Sequence, residues 1–119
     1  MGRRENNVVL NKAFDFAVRI VNLYKYLNYE KHESVISKQL LRSGTSVGAN
    51  LYEAQEAISP KEFESKVYIA LKEARETEYW IELLFKTEFL DNAQYESLKD
   101  DCCELLKMLV SITKSLRRK

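Results

Sequence analysis

The feature that most constrains the fold is the scarcity of residues that interrupt helices, because the chain has one proline and three glycines in 119 residues. Strands joined by tight turns need more of both, so we expect an all-α protein. The chain is 45% hydrophobic and 31% charged, which fits one domain, 1–119, with a single core. No apolar run approaches the ~20 residues that cross a bilayer and no signal-peptide core follows the first residues, so we expect a cytoplasmic protein.

Apolar residues recur at spacings of three and four over four segments, each predicted to be a helix. The segments cover about 11–28, 34–57, 60–88 and 92–117. Ser34 is a candidate N-cap for the second helix, Ser59 followed by Pro60 begins the third, and Asp91 with Gln94 forms a capping box for the fourth. Short connections make consecutive helices antiparallel, which predicts an up-down-up-down four-helix bundle with left-handed packing at about 20°.

Two glycines lie inside the predicted second helix, where each costs roughly 1 kcal/mol relative to alanine. Gly44 and Gly48 therefore indicate that another backbone comes close. They belong to a second apolar face of this helix, which lies away from its core-facing residues and includes Leu41, Thr45 and Tyr52. Helices that are apolar on several faces are buried on several faces.

Two other predicted helices also carry more apolar residues than one core needs. The third is apolar almost all round at Tyr79 and Trp80. On the first, Phe16, Val18 and Leu23 lie off the main apolar stripe, which includes Phe14.

This apolar surplus favours self-association over a monomer. We expect a homo-oligomer whose contact includes Leu41, Gly44, Thr45, Gly48, Tyr52, Tyr79 and Trp80. The alternative is that the glycines relieve crowding inside one bundle and that surface aromatics are scattered, as on most proteins. Under the first hypothesis, Gly48→Leu leaves the bundle folded and disrupts the assembly.

Basic residues collect at both termini, although the net charge is only +1. No acidic residue follows Glu104, and the two termini of an antiparallel bundle meet at one end, so this end is predicted to be a basic pole. The alternative is that cations stabilise the end of the last helix and that the tails are solvated. The candidate nucleic-acid-binding residues are Arg3, Arg4, Lys114, Arg117, Arg118 and Lys119, and Lys107 precedes them in the same helix.

Two glutamate pairs on consecutive helices are similar to the acidic pairs with which all-α nucleoside triphosphate pyrophosphatases hold Mg²⁺. The pairs are Glu53 with Glu56 and Glu73 with Glu76. Charge-rich helices also produce such pairs by chance. The structural alternative is an ion pair between Glu53 and an arginine such as Arg42 or Arg75.

No other pattern indicates catalysis, a metal or a cofactor, and we expect a non-enzymatic protein. His32 is the only histidine, and Cys102 and Cys103 are adjacent, which disfavours a disulfide between them. Ser43 and Asn50 fall on or beside the core face of the second helix. Since unpaired polar groups are costly there, we expect both to bond to backbone or to a neighbouring helix.

The second helix carries the residues of a family resemblance. The stretch 39–54 resembles the Arg-x-x-x-Ser-Val-x-x-Asn-Ile-x-Glu-Gly signature of the bacterial 23S rRNA intervening-sequence proteins, and 61–63 and 70–78 resemble the third helix of that family. Ala54 replaces the glycine of the signature. The resemblance implies a four-helix bundle, a barrel-shaped homopentamer, a relation to the accessory protein of diversity-generating retroelements and a role with RNA or nucleoprotein.

Overall fold

The computed structural model describes the backbone of residues 3–118 and the side chains of residues 8–118. It contains four α-helices: α1 Arg3–Tyr29, α2 Ile36–Gln55, α3 Pro60–Lys86 and α4 Asn92–Arg117. Each helix packs against its neighbours in the chain, and α4 returns to α1 through a sparser contact. The bundle measures 45 × 22 × 19 Å. The predicted all-α, antiparallel four-helix bundle is confirmed, and none of the described helices is long and apolar enough to cross a membrane.

The first helix begins earlier than the predicted residue 11. Its apolar face continues upstream, since Val9 and Leu10 are buried. Burial of these two side chains stabilises additional helical turns, whereas Asn11, which lies inside the helix, does not act as its start. Phe14, predicted on the core face, is 55% exposed, whereas Phe16, predicted off the stripe, is buried.

The start of α2 is capped by Glu33 rather than by the predicted Ser34. The buried carboxylate of Glu33 accepts hydrogen bonds from the backbone N–H groups of Ile36 at 2.9 Å and Ser37 at 2.7 Å. A negative charge at this position also complements the helix dipole. The corner from α1 to α2 is therefore fixed by a longer side chain than the usual capping residues.

The predicted starts of α3 and α4 are confirmed. Ser59 Oγ accepts the backbone N–H of Glu62 at 3.1 Å, with proline at the first helical position. Asp91 and Gln94 form the predicted reciprocal capping box, with bonds of 2.7 and 2.9 Å. These local signals place both helix starts at the predicted residues.

The two glycines of α2 contact α1 of the same chain. A Cβ added at Gly44 would lie 2.9 Å from both Cγ atoms of Ile20, and one added at Gly48 would lie 3.6 Å from the carbonyl oxygen of Ala13. The prediction that these glycines admit a second copy is therefore wrong, since α1 already covers them. The alternative hypothesis, that the glycines relieve crowding within one bundle, agrees with these contacts. Gly48→Leu is therefore expected to destabilise the fold rather than only to disrupt an assembly.

Polar groups in the core are paired as expected. The Thr77 hydroxyl donates to Ser43 Oγ across α2 and α3 at 2.8 Å. Asn50 Nδ2 donates to the backbone oxygen of Ser46 at 2.8 Å. Ser43 and Asn50 thus each have a hydrogen-bond partner within the bundle, as expected for polar groups on or beside the core face.

Candidate nucleic-acid interface and assembly surface

The last turns of α4 carry the described part of the predicted basic pole. Lys114, Arg117 and Arg118 are exposed, and Arg117 Nε donates to Tyr68 Oη on α3 at 3.0 Å. Lys119 and the side chains of Arg3 and Arg4 lie outside the described residues. The described cations thus lie on the side of the bundle that α3 and α4 share.

A groove of about 480 Å³ between α3 and α4 extends this basic region. Lys107 and Lys114 lie seven residues apart and so share one side of α4, while Arg75 approaches from α3. The complete lining is Arg75, Glu78, Cys103, Leu106, Lys107, Val110, Ser111 and Lys114. Sequence reasoning missed Arg75 as a member of this region, because its position depends on the register between two antiparallel helices.

The end of the bundle predicted to be a basic pole also holds acidic residues. The turn from α2 to α3 lies at this end and brings Glu53, Glu56 and Glu62 together around a shallow surface pocket. Lys66 Nζ donates to Glu53 at 2.6 Å, and this bond raises the pKa of Lys66. Glu53 is in an ion pair, as the structural alternative predicted, but its partner is a lysine rather than Arg42 or Arg75.

The second glutamate pair is bridged by an arginine. Arg42 Nη1 donates to Glu73 at 2.8 Å, and Arg42 Nη2 donates to Glu76. The indole N–H of Trp80 also donates to Glu76 at 2.9 Å, and these two donors lower the pKa of Glu76. Across residues 8–118, no group of three or more His, Cys, Asp or Glu could hold a metal ion. This geometry gives no support to the Mg²⁺-dependent pyrophosphatase hypothesis.

Apolar side chains are exposed on the outer side of α1 and α2. Phe14, Val18 and Tyr52 are 55%, 47% and 50% exposed. Antiparallel packing, with Ala13 opposite Gly48 and Ile20 opposite Gly44, places them in one strip. Leu41 and Thr45, partly buried, belong to the same side of α2. We call these five residues the α1–α2 apolar strip: Phe14, Val18, Leu41, Thr45 and Tyr52.

The predicted assembly residues of α3 lie elsewhere. Tyr79 is 59% exposed and contacts Trp80 edge-on, with ring centroids 4.9 Å apart. Trp80 is half-buried and bonds to Glu76 on the side of α3 that faces Arg42 of α2. The seven predicted contact residues therefore do not form one surface: Gly44 and Gly48 are interior, and the rest divide between two sides of the molecule.

The adjacent thiols have different environments. Cys102 is buried with its Sγ 3.7 Å from the backbone oxygen of Ala74, and burial raises its pKa to about 12. Cys103 is half-buried and lines the groove between α3 and α4. Of the two, only Cys103 faces an open surface.

Comparisons with known proteins agree on one family. The family model described as 23S rRNA-intervening sequence protein matches residues 5–111. A crystal structure of a protein with unknown function from the S23 ribosomal protein family of Bacteroides thetaiotaomicron is 57% identical, covers 92% of this chain and 98% of that chain, and superposes with a TM-score of 0.91. No curated protein matches. The chain belongs to the 23S rRNA-intervening sequence protein family, as the signature in its second helix indicated.

Proposed function

We propose that this chain is a non-enzymatic, self-assembling helical bundle that binds RNA through the basic side chains shared by α3 and α4. The observation that carries the proposal is their concentration on one side of a nearly neutral protein. The cations are Arg75, Lys107, Lys114, Arg117 and Arg118. The family name, 23S rRNA-intervening sequence protein, also associates such chains with ribosomal RNA.

Local charge matters here more than net charge. A net charge of +1 gives only a weak field over the whole molecule, so attraction of a polyanion depends on cations that lie close together. Phosphate contacts release counterions, and for single strands the logarithm of the binding constant falls with the logarithm of salt concentration, with a slope of about −0.7 per contact. Copies of the site in an assembly add contacts and affinity.

RNA binding can be tested by fluorescence anisotropy with a labelled single-stranded RNA over a range of salt concentrations. We expect the triple variant Lys114→Gln, Arg117→Gln and Arg118→Gln to bind at least tenfold more weakly and to reduce the slope by about 2 per chain. A matched control removes three exposed lysines from the opposite end, Lys25, Lys31 and Lys38. Equal losses in both variants, or no binding by the unaltered protein, would contradict the proposal.

Self-association is supported by the α1–α2 apolar strip. Contiguous exposed apolar surface on a soluble protein marks an interaction site. A closed ring joins two different surfaces of each copy, and Tyr79 on α3 offers an aromatic residue away from the strip. The family resemblance supports a pentamer.

Native mass spectrometry tests the assembly and its stoichiometry. We expect oligomers for the unaltered chain and monomers for Phe14→Glu with Val18→Glu. The control is Ile58→Glu, because Ile58 is 93% exposed in the turn after α2 and lies outside the strip. A monomeric unaltered protein at micromolar concentration would contradict self-association.

A further inference from the structure

We propose that the groove between α3 and α4 holds the phosphodiester backbone of single-stranded RNA, which runs along the bundle axis rather than across its end. This inference rests on the proposed function and assigns it a path. The phosphates lie beside Lys114, Lys107 and Arg75. Leu106 and Val110 form the apolar floor of the groove.

The spacing of the cations fits a chain of phosphates rather than one small anion. Lys107 and Lys114 are separated by two helical turns, or about 10 Å along α4. From Cys103 to Lys114 the groove extends about 16 Å. The cations are thus spread along the groove rather than gathered around one point, an arrangement in which successive phosphates of one strand can each lie beside a different cation.

The lining also suits the other parts of a nucleotide. Half-buried Val110 lies between the cations and offers apolar surface to riboses and base faces, while buried Leu106 lies beneath it. At the end of the groove nearest Lys114, the ring of half-buried Tyr68 lies beside Arg117, whose Nε donates a hydrogen bond to the Tyr68 hydroxyl. Aromatic rings next to arginines are the usual stacking partners of unpaired bases.

Acidic residues limit the groove at its other end, next to Arg75. Glu78 lies 3.8 Å from Arg75, and farther along the same side Glu82, Glu96 and Asp100 are exposed. These carboxylates outnumber Lys99, which lies among them, and repel phosphate, so the strand does not continue past Arg75 toward the α3–α4 turn. The strand leaves the groove instead at the end nearest Lys114, where the exposed arginines of α4 follow.

Cys103 provides a position-specific test. Cys102 is buried and its raised pKa keeps it as an unreactive thiol, so alkylation by N-ethylmaleimide reports on Cys103. We expect a saturating 12-nucleotide oligouridylate to slow this alkylation at least fivefold, and Cys103→Ser to abolish the labelling. An unchanged rate at RNA saturation would overturn the proposed path. So would a Cys103 that reacts only after denaturation, because another copy would then cover the groove.

A second pair of variants separates the path from the function. We expect Arg75→Gln with Lys107→Gln to weaken RNA binding and to reduce the salt slope by about 1.4 per chain, whereas Lys25→Gln with Lys38→Gln changes neither. If the groove variant binds normally while the variant of Lys114, Arg117 and Arg118 does not, the path is wrong and the proposed function stands. If the unaltered protein binds no RNA, both fail.

Discussion

Helix α1 is held on its two sides by contacts of different kinds. Against α2 the contact depends on shape, because Gly44 leaves room for the Ile20 side chain and Gly48 lies beside the backbone of Ala13. Against α4 ion pairs add to the apolar core packing: Arg19 donates to Asp101 at 2.6 Å, and Lys12 donates to Glu104 at 3.0 Å. The α1–α2 contact is sensitive to atoms added at Gly44 and indifferent to salt. The charged contact tolerates changes of side-chain size and weakens as salt screens it.

The largest effect is expected from Gly44→Leu. The new side chain starts 2.9 Å from the branched Cγ atoms of fully buried Ile20, which cannot move away cheaply. We expect the free energy of unfolding, measured with urea, to fall by about 3 kcal/mol.

A double-mutant cycle with Ile20→Ala tests whether the clash with Ile20 causes this loss of stability. Ile20→Ala alone leaves a cavity and costs about 2–5 kcal/mol, but the double variant should cost less than the sum of the two single changes. Additive costs, or a Gly44→Leu protein as stable as the unaltered one, would show that Gly44 does not face Ile20.

Gly48→Ala should act in the opposite direction. Its Cβ would meet atoms of Ala13 at 3.6–3.7 Å, an ordinary van der Waals distance, while alanine is the better helix former. The free energy of unfolding should therefore rise by up to about 1 kcal/mol. A thermal midpoint below that of the unaltered protein would mean that the two backbones lie closer than described.

A smaller effect is expected on the other side of α1. Arg19→Met removes the ion pair with Asp101, whose side chain is 35% exposed, so the loss of unfolding free energy should stay below about 1 kcal/mol. The difference from the unaltered protein should shrink further in 1 M NaCl, because the ions screen the pair. The cost of Gly44→Leu should not change with salt, and equal salt dependence of the two would remove the distinction between the contacts.

The contact between α2 and α3 makes the stability of the fold depend on pH, and we expect this effect to be the smallest. The pKa of Glu76 is lowered in the folded state by Trp80 and Arg42. Its ionised form therefore stabilises the fold above the pKa of the unfolded chain, and this contribution is lost as pH falls through the folded pKa. Glu76→Gln should flatten the fall of the urea midpoint between pH 5 and pH 3. Trp80→Phe should do so in part, and an unchanged profile in both variants would refute the pairing.

Much of the fold follows from local sequence signals. Ser59 with Pro60 and Asp91 with Gln94 satisfy backbone groups within their own helices, so four or five residues suffice to predict the start of a helix. The start of α1 depends on distant partners for Val9 and Leu10, which no local signal shows. Glu33 was missed because a buried carboxylate is an uncommon substitute for a short capping side chain.

The error over the glycines has a general physical reason. Periodicity shows that a second face of α2 must be covered, but a neighbouring helix of the same chain and a helix of another copy require the same spacing. The candidate RNA surface was predictable in the same partial way. Lys114, Arg117 and Arg118 lie within five residues of one another, so the sequence alone shows the cluster. Arg75 joins them only through the register of α3 against α4.

Left-handed backbone, which glycine usually adopts, is found in this chain at residues other than glycine. Among the described residues, the two with positive φ are His32 at 56° and Glu88 at 68°, while Gly44 and Gly48 have ordinary helical geometry. Glu88 ends α3 with the paired bonds of a Schellman motif, a position that normally favours glycine. The connections between helices thus retain conformational strain that a designer could remove by substitution, without altering the contact between α1 and α2 or the groove between α3 and α4.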